Sequence, residues 1–349
     1  LDGNETHRVI NCTSGETNQT AFQNLIIQNG ADSEYGVGNG GGGIRLLNST
    51  SPTFDNCIIK DNTAVSFAGG MKIRNRCSPV LNNCQFLGNS VTGVGASGNG
   101  GGCSIEENSN PIFTDCVFAD NDAYRGGGVN NSRFSSPVFT RCSFSGNTSR
   151  EGGGLRMVQS RGAQFTDCTI TGNEGGTQGG AFALFNTNDT LIFTNCVISA
   201  NSANIGGGIR AVNSAAMRLI NTRVCGNSSQ GTVSESTQID DTASFTKDST
   251  VCVTADCCDC GDASFPGDLD CNGIYDAVDV RLAMEEFGIT ECGTPVAGDF
   301  DGDDDLDADD FVAIRDALGF CAADINGDGQ VDGADFAYVL GFWGACSAP

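Results

Sequence analysis

The chain has 349 residues, with 43 Asp and Glu against 18 Lys and Arg, and its formal net charge at pH 7 is −25. Nucleic acids and anionic membranes bind basic surfaces, so this charge argues against both as partners. No stretch reaches the roughly 20 apolar residues of a transmembrane helix. The 18 cysteines favour an extracellular or cell-surface location. The chain begins at Leu1 without an apolar leader, so we expect a secreted protein whose signal peptide has been removed.

The first predicted element is a repeat that runs through residues 1–250. A cysteine followed five residues later by an asparagine recurs at intervals of 26 to 32 residues. The cysteines are Cys57, Cys84, Cys116, Cys142, Cys168 and Cys196, and the asparagines are Asn62, Asn89, Asn121, Asn147, Asn173 and Asn201. A Gly-Gly phrase that ends in an apolar residue lies between successive copies, as at residues 152–155. A recurring period of this length indicates one supersecondary unit stacked on itself.

The composition of the repeat predicts a parallel β-helix. Short strand-like runs, such as residues 138–140 and 191–194, alternate with Gly, Asn and Ser turns, and no helical period is present. Glycine at this density would destabilise a helical repeat by roughly 1 kcal/mol at each position relative to alanine. Because parallel crossovers are right-handed, the predicted fold of residues 1–250 is an all-β, right-handed parallel β-helix solenoid of pectin-lyase-like architecture.

Each column of the repeat has a predicted position. The cysteines and the apolar residues two positions later share parity in a strand, so both are expected in the core. A further internal column is expected at Phe54, Leu81, Phe113, Phe139, Phe165 and Phe193. The asparagines are expected in a left-handed turn, with amides that bond to the next coil. The long spacers, which include residues 31–39 and 91–99, are expected to protrude as loops and to carry any binding surface.

The stacked cysteines are expected to be small buried thiols, because neighbouring positions on one sheet face fit disulfide torsions poorly. A second group, Cys252, Cys257, Cys258 and Cys260, falls within a predicted Cys-rich linker at residues 251–266. With Cys271, Cys292, Cys321 and Cys346, this group is expected to form an eight-cysteine disulfide set and not a zinc site, because no histidine is nearby. Cys225 is an alternative partner for Cys252.

The sequence predicts no catalytic residue. His7 is the single histidine, which excludes histidine-based triads and dyads within the repeats. A polysaccharide-cleaving β-helix would need paired carboxylates near a basic residue such as Arg125. The candidates from adjacent coils are Glu106, Glu107, Asp115, Asp120, Asp122 and Glu151. Other coils carry Asn, Lys or Ser at these positions, so a carbohydrate-active enzyme is the alternative prediction and not the leading one.

Residues 267–349 form a second predicted domain, which binds calcium. This region contains 20 acidic residues, and its basic residues are Arg281 and Arg315. Three runs, which begin at Asp268, Asp299 and Asp324, place oxygen side chains at loop positions 1, 3, 5, 9 and 12. A twelve-residue loop with this spacing surrounds one cation with oxygen ligands. We expect about two to three Ca²⁺ ions, no other cofactor, and folding of this domain that depends on calcium.

This C-terminal region, through Trp343-Gly344-Ala345-Cys346, resembles a dockerin type I module. The resemblance implies a small α-helical domain that docks with a cohesin-like partner or another surface-anchoring protein. It implies these calcium ligands: Asp268, Asp270, Asn272, Asp276, Asp279, Asp299, Asp301, Asp303, Asp307, Asp310, Asp324, Asn326, Asp328, Asp332 and Asp335. A usual dockerin has two loops and this region has three. The Ser-Thr pair often used for cohesin recognition is replaced by Ala277-Val278, Ala308-Asp309 and Gly333-Ala334.

The repeat itself resembles that of bacterial polymorphic outer membrane proteins, because a Gly-Gly-x-[Ile/Val/Leu] phrase is paired with Phe-x-x-Asn, as at residues 86–89 and 118–121. The resemblance covers roughly residues 20–230 and implies surface exposure, with adhesion as a role of some members. We therefore expect a secreted or cell-surface, non-enzymatic structural or adhesive protein, with polysaccharide as a candidate ligand. The N-terminal strands lack a preceding capping helix, which predicts head-to-tail self-assembly into filaments.

Overall fold

The computed structural model describes residues 1–33, 40–93, 95, 98–213, 215–241, 244–247 and 251–254. Over these residues the chain forms four sheets of nine strands each, which wind into a parallel β-helix. The predicted all-β solenoid is confirmed. Residues 34–39, 94, 96 and 97 of the two predicted loops lie outside the described residues. So do residues 255–266 of the predicted linker and the predicted calcium-binding domain at 267–349.

The strands of each sheet recur once per coil. The first sheet consists of Ile10–Cys12, Ile44–Leu47, Met71–Arg74, Cys103–Glu106, Val129–Ser132, Leu155–Val158, Phe182–Phe185, Ile209–Val212 and Ile239–Asp241. The second consists of Ala21–Gln23, Thr53–Asp55, Val80–Asn82, Ile112–Thr114, Val138–Thr140, Gln164–Thr166, Leu191–Thr194, Ala216–Ile220 and Ser244–Lys247. The third consists of Ile26–Gln28, Ile58–Lys60, Gln85–Leu87, Val117–Ala119, Ser143–Ser145, Thr169–Thr171, Val197–Ser199, Arg223–Cys225 and Cys252–Thr254. The fourth consists of Ala31–Asp32, Thr63–Ala64, Ser90–Val91, Asp122–Arg125, Thr148–Glu151, Glu174–Gln178, Ser202–Ile205, Ser228–Ser229 and Thr232–Val233.

Successive coils lie in register. Each strand pairs in parallel with the strand one coil later, as Val129–Ser132 does with Leu155–Val158. Among the described residues one pair is antiparallel, between Ser228–Ser229 and Thr232–Val233. The same part of the chain contains one short helix, Glu235–Gln238, and it holds no helix with the length and apolarity of a membrane span.

Aromatic rings stack along the core, as predicted. Phe139 lies 4.9 Å from Phe113 and 5.0 Å from Phe165 between ring centroids, with nearly parallel planes. A second column contains Phe118 and Phe144, 4.8 Å apart. All of these rings are fully buried. Because neighbouring strands are about 4.8 Å apart, one ring per coil fills the column at van der Waals distance.

The six predicted core cysteines are also buried, one per coil, and each is a free thiol. The Cys142 sulfur lies 3.4 Å from the carbonyl oxygen of Thr140, two residues earlier. Cys12, Cys77 and Cys103 are further buried free thiols. Burial raises the pKa of Cys12 to about 11. Burial also raises the pKa of Cys77 and Cys103. A thiol that stays protonated is a weak nucleophile, so Cys12, Cys77 and Cys103 fill space in the core.

A ladder of buried asparagine side chains joins the coils where the third sheet meets the fourth. The Asn147 side-chain amide donates to the carbonyl oxygen of Phe118 and to the Asn173 side-chain oxygen, both at 2.8 Å. The Asn147 oxygen accepts hydrogen bonds from the backbone and the side chain of Asn121, at 3.1 and 2.9 Å. Gln238 ends the ladder by accepting from Asn227 at 2.8 Å. The predicted amide bonds between coils are confirmed.

The predicted left-handed backbone of these asparagines is wrong. The positive φ falls on the residue before each one, as at Asp120 (φ 56°), Gly146 (φ 61°) and Ala200 (φ 54°). The left-handed residue makes the turn, and the asparagine that follows points inward, where its amide is fully buried and bonded. A second positive φ precedes the core cysteines, as at Asn83 (φ 49°) and Arg141 (φ 50°).

At the N-terminal end, the first residues of the chain pair with the third sheet. The Gly3 amide donates to the carbonyl oxygen of Gln28, and the Gln28 amide donates to that of Leu1, both at 3.0 Å. This pairing satisfies part of the third-sheet edge. The predicted head-to-tail assembly rests on the edge formed by residues 8–12 and 25–27. The first residues of the chain cover part of the second segment, and the assembly itself stays a prediction.

We expect Asn147→Ala to lower the free energy of unfolding of the β-helix by about 3 kcal/mol, because it leaves two buried donors of Asn121 without an acceptor. Urea denaturation followed by circular dichroism measures the change. Asn82→Ala is the matched control, since Asn82 is half-buried and donates one side-chain hydrogen bond, to Asp55 at 2.7 Å. A loss for Asn147→Ala no larger than that of the control would contradict the role of the ladder.

Candidate ligand-binding face

The outer face of the first sheet carries a row of side chains in register. Alternate residues of each strand point inward, and the residues between them point outward. We call the outward residues at the second position of each strand the outer row: Asn11, Arg45, Lys72, Ser104, Asn130, Arg156, Ala183, Arg210 and Asp240. Four of these nine residues are basic, so the row differs in charge from the strongly acidic chain as a whole.

Most basic residues of the β-helix lie on the first sheet or in the turns that border it. These are Arg8, Arg45, Lys72, Arg74, Arg76, Arg133, Arg156, Arg161 and Arg210, and Arg125 ends a fourth-sheet strand that leads into such a turn. The other basic residues up to Thr254 are Lys60, Arg141, Arg150, Arg218, Arg223 and Lys247. A local excess of one charge attracts ligands of the opposite charge even when the net charge of the protein is unfavourable. This side of the β-helix is therefore its candidate binding face.

Lys72 of the outer row is fully buried. Its ammonium nitrogen lies 4.2 Å from the ring centroid of Phe67, a cation–π contact. Burial lowers the pKa of Lys72 to about 8, and the nearby Glu106 carboxylate opposes this shift. Phe67 and Ala68 have positive φ values of 48° and 67°, so the turn that places the ring over Lys72 is strained. Lys72 is not accessible to a large ligand.

Two predicted catalytic candidates, Glu106 and Glu107, lie together beside two arginines. Glu107 accepts hydrogen bonds from Arg74 at 2.8 and 2.7 Å and from Arg133 at 2.8 Å. The Arg74 guanidinium thereby holds the pKa of Glu107 below its usual value. Glu106 is buried and accepts a hydrogen bond from Ser104 at 3.1 Å. Its other oxygen lies 3.8 Å from both arginines, which is an ionic contact and too long for a hydrogen bond.

A second group joins Glu151 to two arginines. The Glu151 carboxylate lies 3.2 Å from Arg125 and accepts a hydrogen bond from Arg156 at 3.0 Å. Arg156 also donates to the Asn130 side chain at 3.3 Å, and its guanidinium lies 5.1 Å from the ring centroid of Phe185. Burial lowers the pKa of Arg156 to about 10. Contacts on three sides therefore hold this guanidinium in place.

The remaining candidate acids are Asp115, Asp120 and Asp122, and none of them forms an ion pair with the arginines of these two groups. Asp115 is in the turn between the second and third sheets, where Arg141 binds it through two hydrogen bonds of 2.7 and 2.9 Å. Asp120 is in the turn between the third and fourth sheets. Asp122 begins a strand of the fourth sheet and accepts a hydrogen bond from Thr148 at 2.7 Å. The fold thus brings Arg74 and Arg133 to the adjacent Glu106 and Glu107, and Arg125 to Glu151, but leaves the three aspartates out of both groups.

The predicted metal and disulfide residues fall mostly outside the described part of the chain. All the predicted calcium ligands, from Asp268 to Asp335, lie there, as do the predicted disulfide cysteines from Cys257 to Cys346. Within the described part, Cys225 is disulfide-bonded. The strand Cys252–Thr254 pairs with the strand Arg223–Cys225, and in this pairing Cys252 lies opposite Arg223. A bond between Cys225 and Cys252 stays a prediction. No group of three or more metal-ligating side chains occurs among the described residues.

The basic outer row was not predicted from the sequence, although a signal for it exists. Arg45, Lys72, Arg156 and Arg210 each directly follow the apolar residue that ends a Gly-Gly phrase. That apolar residue points into the core, so its neighbour must point outward. Reading one position beyond the repeat phrase in every coil would have found the row.

We expect Glu107→Gln to lower the free energy of unfolding by about 1 kcal/mol at pH 7, a figure that allows for solvent screening of a partly exposed ion pair. Because Arg74 lowers the folded-state pKa of Glu107, the ionised Glu107 carboxylate stabilises the fold at pH values above its unfolded-state pKa of about 4.3. This stabilisation is lost as the pH falls through the folded-state pKa. Urea denaturation over a series of pH values measures the difference from wild type, which should shrink in acid.

The matched control for this experiment is Asp189→Asn, since Asp189 is exposed and forms no ion pair with the described residues. It should leave the stability nearly unchanged at each pH. A Glu107→Gln difference that stays constant from neutral to acid pH would contradict the ion-pair assignment.

A comparison with known protein families matches residues 8–176 and 97–247 to the family described as "Right handed beta helix region". The two matches together span residues 8–247, which is more than half of the chain. Searches among curated proteins and among solved structures found no match. The parallel strands in register, the buried columns and the asparagine ladder agree with the family match, and the chain belongs to the right-handed β-helix family.

Proposed function

We propose that this chain is a secreted or cell-surface structural or adhesive protein without catalytic activity. In this proposal the β-helix is a rigid scaffold that presents a binding face. The C-terminal region, residues 267–349, is a calcium-binding, dockerin-like module that attaches the scaffold to a cohesin-like or other anchoring protein. Head-to-tail contacts between copies would extend the scaffold into a filament.

The proposal that the protein lacks catalytic activity rests on the ion pairs of the candidate carboxylates. Glu107 and Glu151 each lie between two arginines. Glycoside hydrolysis needs one protonated carboxyl group as the acid and a second, ionised one across the scissile bond. Arg74 and Arg133 favour the ionised form of Glu107, so Glu107 is not suited to the acid role.

The calcium part of the proposal rests on the donor set of the three acidic loops. Aspartate and asparagine oxygens are the ligands that a hard cation such as Ca²⁺ prefers. The region has 20 acidic residues and two arginines, so its self-repulsion opposes compaction until cations bind. The same dependence makes docking through this module sensitive to calcium.

Substitution at the first position of each loop tests the calcium module. We expect Asp268→Ala, Asp299→Ala and Asp324→Ala each to remove about one bound ion, because position 1 supplies a ligand in every loop. Isothermal titration calorimetry of the full chain measures the stoichiometry. Asp262→Ala, an acidic change before the first loop, should keep the wild-type value. Unaltered stoichiometry in all three loop variants would refute the assignment.

A carbohydrate-active enzyme is the competing function, and an assay for turnover separates it from the proposal. We expect no release of reducing or unsaturated ends when the full chain is incubated with acidic polysaccharides in the presence of calcium. Glu151→Gln and Asp122→Asn are the informative variants, with Asp189→Asn as the control. Clear turnover that Glu151→Gln or Asp122→Asn abolishes, and that the control retains, would replace the proposed function by the enzymatic one.

A further inference from the structure

The turn after the first sheet is left-handed in every coil from Ile44–Leu47 to Ile209–Val212. A residue with positive φ directly follows each of these strands, and four coils have two such residues in succession. Asparagine, which tolerates this backbone at low cost, occupies many of these positions, including Asn48, Asn75, Asn108, Asn186 and Asn213. The turn therefore has a favoured residue type.

Phe134 departs from this preference. Its φ is 67°, a strained conformation for a bulky side chain. Phe134 is 36% exposed and is an aromatic residue among the exposed large hydrophobics of the described residues. By contrast, Phe67 has a positive φ but is buried over Lys72. Backbone strain at a partly exposed residue is a reason to look for a functional role.

Arginines surround Phe134. The Arg161 guanidinium lies 5.0 Å from the Phe134 ring centroid. The adjacent Arg133 has a side chain that is 44% exposed and shares the Glu107 carboxylate with Arg74. Arg76 occupies the same turn two coils earlier, and neither Arg76 nor Arg161 has an ion pair among the described residues. This edge of the β-helix thus presents an exposed ring and a net positive charge.

Backbone amides of this edge already donate hydrogen bonds within the protein. The amide of Arg76 donates to the carbonyl oxygen of Glu107 at 3.0 Å, and that of Phe134 donates to the carbonyl oxygen of Gln159 at 2.8 Å. A peptide partner that binds in extended form gains affinity by pairing with free strand groups, which are absent from these bonded turns. A ligand must therefore be recognised through its charge and through contact with the ring.

We propose that this edge, formed by Arg76, Arg133, Phe134 and Arg161, binds an acidic glycan. Guanidinium groups bind carboxylates and sulfates through paired hydrogen bonds, and the exposed phenyl ring provides an apolar platform for the face of a sugar ring. Neighbouring coils are about 4.8 Å apart, so the charges form a line that suits an extended polymer. The choice of a glycan names a ligand class for the proposed adhesive function and rests on that function. The four residues of the site lie outside residues 267–349.

The test is binding of the full chain to polygalacturonate and to heparin, which represent carboxylated and sulfated sources of the anion. Dextran serves as the neutral polysaccharide control, and poly-L-glutamate serves as the acidic peptide control. All measurements contain a chelator, so that calcium does not affect binding. We expect at least one acidic glycan to bind, with an affinity that falls as salt is added. Dextran and poly-L-glutamate should bind at least tenfold more weakly. Absence of glycan binding, or equally tight binding of poly-L-glutamate, would overturn the proposal and leave the calcium tests of the proposed function unaffected.

Two variants separate a binding role from a structural one. Phe134→Asn should weaken glycan binding about tenfold and yet raise the Tm of the β-helix by about 2–4 °C, because asparagine relieves the backbone strain. Arg161→Gln should weaken binding with little change in Tm. Arg218→Gln, an exposed arginine of the second sheet, is the control and should retain wild-type affinity. A fall in Tm for Phe134→Asn, unchanged affinity in both site variants, or an equal loss in the control would overturn the assignment.

Discussion

Each coil must place its strands directly over those of the coil before it, because the backbone groups of each inner strand bond to strands on both sides. A shift of one residue would turn the core side chains outward and the outer ones inward. The asparagine ladder reinforces this register, since each amide joins its own coil to both neighbours through buried hydrogen bonds. Residues at the same position of the repeat therefore stack on one another in successive coils, and this register produces the phenylalanine and cysteine columns.

The same register organises the charged residues. A side chain at one position of the repeat has neighbours about 4.8 Å away in the coils on either side, so charges of one sign in adjacent coils would repel. Acidic residues reduce this repulsion beside the first sheet. Glu107, in a turn, lies between Arg74 and Arg133, and Glu151, at the end of a fourth-sheet strand, lies between Arg125 and Arg156. Arg76 and Arg161 form no ion pair with the described residues, so their charges remain for a ligand.

Stability and binding use different parts of the coil. The rings, thiols and amides that hold the coils together are buried and repeat with little change. The turns after the first sheet keep a common left-handed backbone but vary in side chain, from Asn75 to Phe134. Such turns accept changes of side chain at a small cost in strain, because their backbone hydrogen bonds to the next coil stay in place. Substitutions in these turns can thus change which ligand a solenoid binds without changing its fold.

The sequence alone determined the β-helix, because the cysteine, phenylalanine and asparagine columns recur at a period that a stacked coil requires. It also determined that the cysteines are buried thiols, since their parity matches that of the core residues. It misplaced the left-handed residue by one position, because Asn and the residue before it are both plausible turn formers and only the inward direction of the amide separates them. The strain at Phe134, the burial of Lys72 and the pairing of Glu107 with Arg133 were decided by the tertiary structure. The pairing of Glu107 with Arg133 joins residues 26 apart in the sequence. Lys72 is covered by Phe67 of its own coil, and this contact depends on the left-handed turn at Phe67 and Ala68.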